Sequence, residues 1–206
     1  RATLPTRAGV VILPDVRGLH PYYEELALRF AEVGVDALAI DWFGRTAGLD
    51  TARDDSFDYK PHVDETSWPS IVADIRAAAA EIRADGRVTT LFTIGFCFGG
   101  RVAFVTPTLA LDFAGAIGFY GSPVAPRANG TPAPVDIATE MQGSILGLFG
   151  GADTGIPPDA ISDFGQGLAA AGAAHRVGSY QDPPHRFFDR KAADLADAHA
   201  APTPGD

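Results

Sequence analysis

The chain has little cysteine, few basic side chains and no long apolar run, and each shortage excludes a class of protein. Its 206 residues include one cysteine, so an internal disulfide is impossible and we expect a reducing compartment, the cytoplasm. Lysine and arginine number 16 against 26 aspartate and glutamate residues, a net charge of −10. This balance argues against binding to nucleic acid or to an anionic membrane surface. No apolar run approaches the roughly 20 residues that span a bilayer.

The remaining composition is that of one globular domain. Hydrophobic residues make up 46% of the chain and charged residues 20%, which is ordinary for a globular protein. The length suits a single domain over residues 1–206 with a substantial core. Because the sequence begins at Arg1, we expect residues 1–9 to connect from a strand that lies upstream or is present only in part.

Short apolar runs alternate with helical patterns along the chain. Continuous apolar runs are typical of strands buried on both faces, and they predict strands at residues 10–13, 35–40, 91–94, 113–120, 144–149 and 175–180. The amphipathic or alanine-rich stretches between them predict helices at 21–33, 71–83, from about 100 to Pro107, 160–171 and 187–199. This alternation predicts a parallel-dominated α/β sheet with helices on both faces.

One segment, residues 42–68, shows no clear period and carries several large rings. A loop of this length in a compact domain is usually functional or disordered. The aromatic side chains favour an ordered flap over a pocket. We therefore predict that at least two of Trp42, Tyr59 and Trp68 line that pocket and bind substrate.

The stretch that organises the chain is Gly-Phe-Cys-Phe-Gly-Gly at residues 95–100. It follows an apolar run and precedes a helical pattern, which predicts a tight strand–turn–helix elbow with Cys97 at its apex. The following helix N-terminus favours a thiolate, and its free N–H groups can bind an oxyanion. The alternative is a small core residue, since most free cysteines are inert and buried.

Four polar or reactive residues follow predicted strands, where sites form in parallel sheets. They are Asp15, Cys97, Asp153 and His185. The last three occur in the order nucleophile, acid, base that α/β-hydrolases use, with cysteine in place of serine. His185 can move the thiol proton while Asp153 fixes its tautomer.

Backbone groups complete this candidate site, and some alternatives stay open. The N–H groups of Phe98 and Val16 are the natural oxyanion hole. Asp153 could instead cap a turn, and Asp182 could replace it as the partner of the histidine. Asp15 could be a plain loop residue.

The same motifs resemble the dienelactone hydrolase family. The blocks that carry the resemblance are residues 95–100, 150–153 and 184–187, together with 14–18 and 41–45. The resemblance implies an α/β-hydrolase fold and carboxymethylenebutenolidase-type chemistry, in which an unsaturated lactone is opened through an acyl-thioester intermediate. It implies a small-molecule ester or lactone as substrate and no cofactor or metal. We expect a monomer or a weak homodimer.

The resemblance also implies how the thiol and the substrate are held. In the family a glutamate in the first βα loop hydrogen-bonds the resting thiol, and Asp15, one methylene shorter, stands there as a modulator of the thiol. Arginines of the family hold a substrate carboxylate. Asp189 occupies the spacing expected for one of them, so Arg17 and Arg186 become the candidates, with Arg53 and Arg190 as further possibilities.

Two other classes of function remain as alternatives. Glutamine amidotransferases also use a cysteine elbow, but they require a His-x-Glu pair, and Arg186 and Phe187 follow His185. A non-catalytic binding module on the same fold predicts a broken triad. Here all three members are present.

Overall fold

The computed structural model describes residues 1–3 and 6–188, and strands alternate with helices throughout. The strands are β1 Ala8–Leu13, β2 Asp36–Ala39, β3 Thr90–Phe96, β4 Phe113–Phe119, β5 Ser144–Gly150 and β6 His175–Tyr180. The α-helices are α1 Pro21–Glu32, α2 Lys60–Asp64, α3 Trp68–Arg83, α4 Phe98–Val105 and α5 Pro158–Ala170, with 3₁₀ turns at Thr106–Thr108 and Pro134–Glu140. Apart from its first two residues, the predicted helix 187–199 lies outside the described residues. None of the described helices is long and apolar enough to cross a membrane.

The six strands form one sheet in the order β2-β1-β3-β4-β5-β6, and every pair is parallel. The predicted α/β architecture is therefore confirmed. The chain runs from β1 outward to β2, then returns to place β3 on the other side of β1. This change of direction opens a crevice beyond the carboxyl ends of β1 and β3, where ligands bind in such sheets.

Both faces of the sheet are buried, as the continuous apolar runs predict. Val10 and Ile12 of β1 belong to one hydrophobic cluster, while Val11 and Leu13 belong to the other. Alternate side chains of a strand point to opposite faces, so helices must cover both. The burial of each such side chain contributes about 1.5–3 kcal/mol to the free energy of unfolding. The core therefore fixes the positions from which the loops at the edge of the sheet begin.

Three helices begin earlier than the sequence predicts, among them α5, which begins at Pro158 instead of residue 160. Helix α3 begins at Trp68 and not at residue 71, because Ser67 and Ser70 form a reciprocal capping box at its N-terminus. Pro69 lies in the first turn, where its missing N–H breaks no hydrogen bond. Helix α4 begins at Phe98, directly after the elbow, and not at about residue 100. That helix gives way at Val105 to the 3₁₀ turn containing Pro107, as proline requires.

The long segment 42–68 is an ordered wall rather than a loop without regular structure, since it contains α2 and the start of α3. Arg53, with a side chain only 4% exposed, anchors it. Its guanidinium donates to both carboxylate oxygens of Asp41, at 2.6 and 2.8 Å, and to the carbonyl of Arg17 at 3.1 Å. It also stacks over Phe57. Arg53 is thus committed to the fold and does not line the cavity described below.

Candidate active site

The elbow holds Cys97 in a backbone conformation that side-chain-bearing residues rarely adopt, with φ of 53° and ψ of −109°. Such strain persists only where surrounding contacts enforce it. The N–H of Cys97 donates to the carbonyl of Phe119 at 3.0 Å, which ties the turn to β4. At Gly95 a Cβ would overlap the Gly99 carbonyl, and at Gly99 it would overlap the Leu13 carbonyl. The two glycines therefore let strand, helix and elbow approach closely enough to present the sulfur.

Three side chains from three strand ends meet at this elbow. His185 Nε2 lies 3.3 Å from the Cys97 sulfur, and His185 Nδ1 lies 2.6 Å from Asp153 Oδ2. The other oxygen of Asp153 accepts the Gly155 N–H at 2.8 Å, which orients this buried carboxylate. The acid that contacts the imidazole is thus Asp153, the residue after β5.

The loops that carry the acid and the histidine are joined through their backbones. The N–H of Gly151 donates to the carbonyl of Tyr180 at 2.6 Å, and the N–H of Ala152 donates to that of Pro183 at 3.1 Å. The His185 ring packs against Tyr120, with 5.1 Å between ring centroids. These contacts hold the imidazole in place before any substrate is present.

A cavity of about 840 Å³ opens onto the sulfur and the imidazole. Cys97, His185, Val16, Phe98 and Tyr59 line it, as the sequence predicts. The sequence reasoning missed its other lining residues: Val63, Asp64, Thr66, Ser67, Arg101, Tyr120, Ser122, Arg127, Ala128, Asn129, Gly155 and Ile156. Several of them lie in the loops after β4 or β5. The rule that loops after parallel strands line the site could therefore have identified them from the sequence.

The candidate oxyanion donors flank the sulfur from two sides. Phe98 begins α4, and its N–H faces the Cys97 sulfur and stabilises negative charge there. Val16 lies in the loop after β1, and its N–H makes no hydrogen bond to another described residue. The placement of both residues in the cavity wall is compatible with donation to a bound carbonyl oxygen.

The prediction for the aromatic side chains is wrong in part, because only Tyr59 of the three lines the cavity. Trp42 is 4% exposed, donates from Nε1 to the Pro14 carbonyl at 3.0 Å and packs edge-on against Phe98. Trp68 begins α3 and packs against the core. Burying these large apolar rings is more favourable than exposing them in an open cavity. Trp42 thereby contacts both segments that carry the candidate oxyanion donors, the loop after β1 and the start of α4.

The predicted arginines are also placed differently, because aspartates bind them. Arg17 pairs with Asp15 at 2.6 Å and with Asp55 at 2.9 Å, and Arg186 lies 3.8 Å from the same Asp55 oxygen. Arg17 and Arg186 line a smaller pocket of about 80 Å³ that adjoins the main cavity, since Val16 and Tyr59 line both. Arg190 lies outside the described residues.

Asp15 is buried, and it remains ionised. Burial would raise its pKa, but the neighbouring His20 and the hydrogen bonds and charge of Arg17 outweigh this and hold the pKa below its usual range. His20 Nε2 is 3.9 Å from the carboxylate, beyond hydrogen-bond distance, so Arg17 is the principal partner. No hydrogen bond joins Asp15 to Cys97 among the described residues. Any effect of Asp15 on the thiol is therefore exerted through its charge.

The thiol itself is held in its neutral form. Burial, followed by the charge of Asp15, raises the pKa of Cys97 to about 11, against the opposing effects of the Phe98 N–H, Arg186 and Arg127. A free thiol ionises near pH 8.5, so at neutral pH this sulfur needs a base to become nucleophilic. The adjacent imidazole is placed to act as that base.

A six-stranded parallel sheet flanked by helices, with a thiol, an imidazole and a carboxylate in contact at its carboxyl edge, is the arrangement of α/β-hydrolases. Among residues 1–3 and 6–188 no group of three histidine, cysteine, aspartate or glutamate side chains could hold a metal. Residues 1–203 match the dienelactone hydrolase family. The chain belongs to this family, and the protein is a hydrolase.

Individual relatives agree with this family. A Salmonella typhimurium protein named "Putative carboxymethylenebutenolidase" is 29% identical over 180 residues, which cover 86% of this chain and 67% of that protein. The carboxymethylenebutenolidase of Rhodococcus opacus is 28% identical over 182 residues, covering 87% and 69%. A Klebsiella pneumoniae crystal structure described as a "Putative Dienelactone Hydrolase" superposes with a TM-score of 0.81 at 27% identity, covering 93% and 81%. The chain thus spans about two thirds of the length of the curated relatives.

Proposed function

We propose that this protein is a cysteine-dependent hydrolase of small esters or lactones that works through an acyl-thioester intermediate. The observation that carries the proposal is the unbroken series of contacts from Asp153 through His185 to the Cys97 sulfur. This series opens into a cavity large enough for an organic substrate. The names of the relatives supply the substrate class.

In the first step the neutral thiol loses its proton as it attacks. His185 Nε2, 3.3 Å away, takes the proton while the sulfur bonds to the carbonyl carbon and the carbonyl π electrons move to oxygen. The N–H groups of Phe98 and Val16 stabilise the resulting oxyanion. Asp153 stabilises the imidazolium that forms.

The tetrahedral intermediate then collapses to a thioester, and water hydrolyses that thioester in a second step. The carbon–oxygen bond breaks, and His185 returns its proton to the departing alkoxide, which leaves an acyl-thioester on Cys97. For a lactone the alcohol stays attached as the far end of the acyl chain. Water, deprotonated by His185, next adds to the thioester, the carboxylic acid departs and the thiol regains its proton.

The alternatives explain less of the site. An amidotransferase requires a glutamate two residues after the histidine, and Phe187 stands there. A binding module would not need an imidazole between a carboxylate and a thiol, or a strained elbow. Neither reading accounts for the buried hydrogen-bonded Asp153.

The decisive experiment is to trap the acyl-enzyme. A panel of p-nitrophenyl esters, saturated lactones and dienelactones is screened for turnover, and active substrates are quenched in acid during turnover. Mass spectrometry is expected to show the acyl mass on the peptide that contains Cys97, and hydroxylamine should remove it. The chain has only one cysteine, so the assignment is unambiguous. Sustained turnover without acylation at this position in a rapid-quench time course would contradict the thioester mechanism.

We also expect Asp15 to suppress ionisation of the resting thiol. Asp15→Asn keeps the shape of the side chain but removes the negative charge that helps to raise the pKa of Cys97 to about 11. The pKa should fall by about one unit. Below the thiol pKa the thiolate fraction then rises about tenfold, so iodoacetamide should alkylate the variant about tenfold faster at neutral pH and peroxide should inactivate it sooner.

The pH dependence distinguishes this effect from a general loosening of the site. At a pH above both thiol pKa values, Cys97 is fully ionised in the wild type and in the variant. The difference in their alkylation rates should therefore vanish at high pH. Asp50→Asn, an exposed change in the same wall that carries Arg53, is the control and should alkylate like the wild type. Equal rates for Asp15→Asn and wild type across the whole range would show that Asp15 only organises its loop.

A further inference from the structure

We infer that Arg101 is a positioning residue that fixes one wall of the catalytic cavity and thereby limits the size of the substrate. The wall consists of residues 122–132, which lie in the loop after β4, and four of them line the cavity. The inference deepens the proposed function and rests on it. It is carried by the way in which a buried guanidinium holds this wall.

The wall cannot hold itself in place through regular backbone hydrogen bonds. It contains Pro123, Pro126 and Pro132, which lack an N–H and prevent a helix or a sheet ladder. Its carbonyl groups therefore need other donors once they are removed from water. At Ala125 the backbone takes a φ of 57°, a strained value that persists only where surrounding contacts enforce it.

Arg101 supplies those donors from the helix that begins at the nucleophile. It lies near the start of α4, where its N–H donates to the Cys97 carbonyl at 3.1 Å. The residue is 2% exposed, so its side chain is turned into the protein. The two terminal nitrogens donate, at 2.5–2.8 Å, to the carbonyl oxygens of Ser122, Val124, Ala125 and Pro132. One guanidinium thus joins both ends of the wall to the helix of the nucleophile.

The charge of Arg101 is costly to bury, which argues that the wall depends on it. Removing a charged group from water is unfavourable unless hydrogen bonds replace those to water. Burial and then the charge of Arg127 lower the pKa of Arg101 to about 10, so the guanidinium is still a cation at neutral pH. Its acceptors among the described residues are carbonyl groups and include no carboxylate. An apolar side chain would avoid the cost of burial, but it could not bind and orient four carbonyl groups.

The wall is also joined to the segment 42–68, which supplies the neighbouring side of the cavity. Asn129 donates from Nδ2 to Thr66 Oγ1 at 3.0 Å, and its carbonyl accepts the Trp68 N–H at 2.7 Å. Both Asn129 and Thr66 line the cavity. A continuous series of contacts therefore runs from the elbow through Arg101 and the wall to the start of α3, and it fixes the width of the cavity.

A wall fixed in this way discriminates between substrates by size. A loose loop moves aside for a longer acyl chain, whereas a fixed loop excludes it, and a methylene group that does not fit costs about tenfold or more in kcat/KM. The cavity volume of about 840 Å³ places this limit above the size of a small ester. We therefore expect kcat/KM to rise with the length of the acyl chain and then to fall sharply where the chain reaches the wall.

The test is a series of p-nitrophenyl esters from acetate to decanoate, hydrolysed by the wild type and by Arg101→Ala. The wild type should show the sharp fall. In Arg101→Ala the wall is released, so the ratio of kcat/KM for decanoate to kcat/KM for acetate should rise by about tenfold or more. This ratio is the informative quantity, because general damage to the site would lower both values together.

Chemical rescue distinguishes loss of the guanidinium from other effects of the substitution. Arg101 lines the cavity, so methylguanidinium can enter the space that Arg101→Ala leaves and should restore the wild-type chain-length preference. Methylammonium lacks the planar fork of donors and should restore less. Arg101→Lys keeps the charge but can donate to at most three of the four carbonyls, so its preference should lie between the other two. This variant carries the test if Arg101→Ala does not fold.

The matched control is Arg83→Ala, because Arg83 also donates to loop carbonyls but does not line the cavity. Its acceptors are the carbonyl oxygens of Leu111 and Asp112, at 3.0 and 2.8 Å. This variant should keep the wild-type preference with and without methylguanidinium. An unchanged preference in folded Arg101→Ala, or in Arg101→Lys if the alanine variant does not fold, would overturn the inference. So would a wild type whose kcat/KM never falls along the series. Absence of Cys97-dependent turnover for every ester would instead overturn the proposed function.

Discussion

Replacement of Cys97 by alanine is expected to lower kcat/KM by about 10⁴-fold or more for every substrate, because it removes the nucleophile of a concerted unit. Water cannot substitute for the sulfur, which the elbow places 3.3 Å from the base. Initial rates on the best ester from the panel, measured for wild type and variant at equal concentration, check this. The fold should be intact, since alanine accepts the same φ of 53° with no greater strain than cysteine.

Cys97→Ser separates the need for a nucleophile from the need for sulfur. The hydroxyl is much less acidic than even this thiol, so we expect at most a small residual activity. Circular dichroism and the thermal midpoint of both variants serve as controls for folding. Full activity in Cys97→Ala would contradict the mechanism as a whole, whereas full activity in the serine variant would contradict only the requirement for a thiol.

The second large effect is expected at Asp153. Asp153→Asn should lower kcat by about 10⁴-fold, the loss that the same change causes in the Ser-His-Asp triad of serine proteases. The amide can donate to Nδ1 of His185, which moves the ring proton to Nε2. That nitrogen then faces the sulfur with a proton and cannot accept the thiol proton.

The pH profile of Asp153→Asn carries additional information. Because the pKa of Cys97 is about 11, the thiol ionises without a base only as the pH approaches that value. The activity of the variant should therefore climb steadily as the pH approaches that value, while the activity of the wild type, which keeps a base beside the thiol, should depend much less on pH over the same range. Asp163→Asn, an exposed change on α5, is the matched control and should behave like the wild type. A loss of less than about tenfold would remove Asp153 from the proposed triad.

Most of the sheet could be predicted because a strand is a local property of the sequence. In β1 four consecutive apolar residues are enough to indicate burial on both faces, and their side chains do divide between the two clusters. The meeting of Cys97, Asp153 and His185 could also be predicted, although 88 residues separate the first from the last. Each follows a strand, and the carboxyl ends of parallel strands lie at one edge.

The orientation of long side chains could not be predicted in the same way. Trp42 and Tyr59 both occur in an aperiodic stretch rich in polar residues, and nothing local distinguishes them. Trp42 turns inward because the Pro14 carbonyl and the ring of Phe98 lie next to it in space. Tyr59 has no such partner in the part of the chain that the structure describes, and it lines the cavity with 44% of its surface exposed.

The strands, the elbow and the order of the reactive residues follow from the amino-acid sequence, because each depends on near neighbours or on the rule that parallel strand ends lie at one edge. Which charges are compensated follows only from the folded arrangement of distant segments. Asp15 pairs with Arg17 rather than with the thiol, and Arg17 also reaches Asp55, 38 residues away. Arg127 meets no carboxylate among residues 1–3 and 6–188. The partner of a charged side chain is set by segments brought together from distant parts of the chain, and its neutralisation depends on distances of a few ångströms.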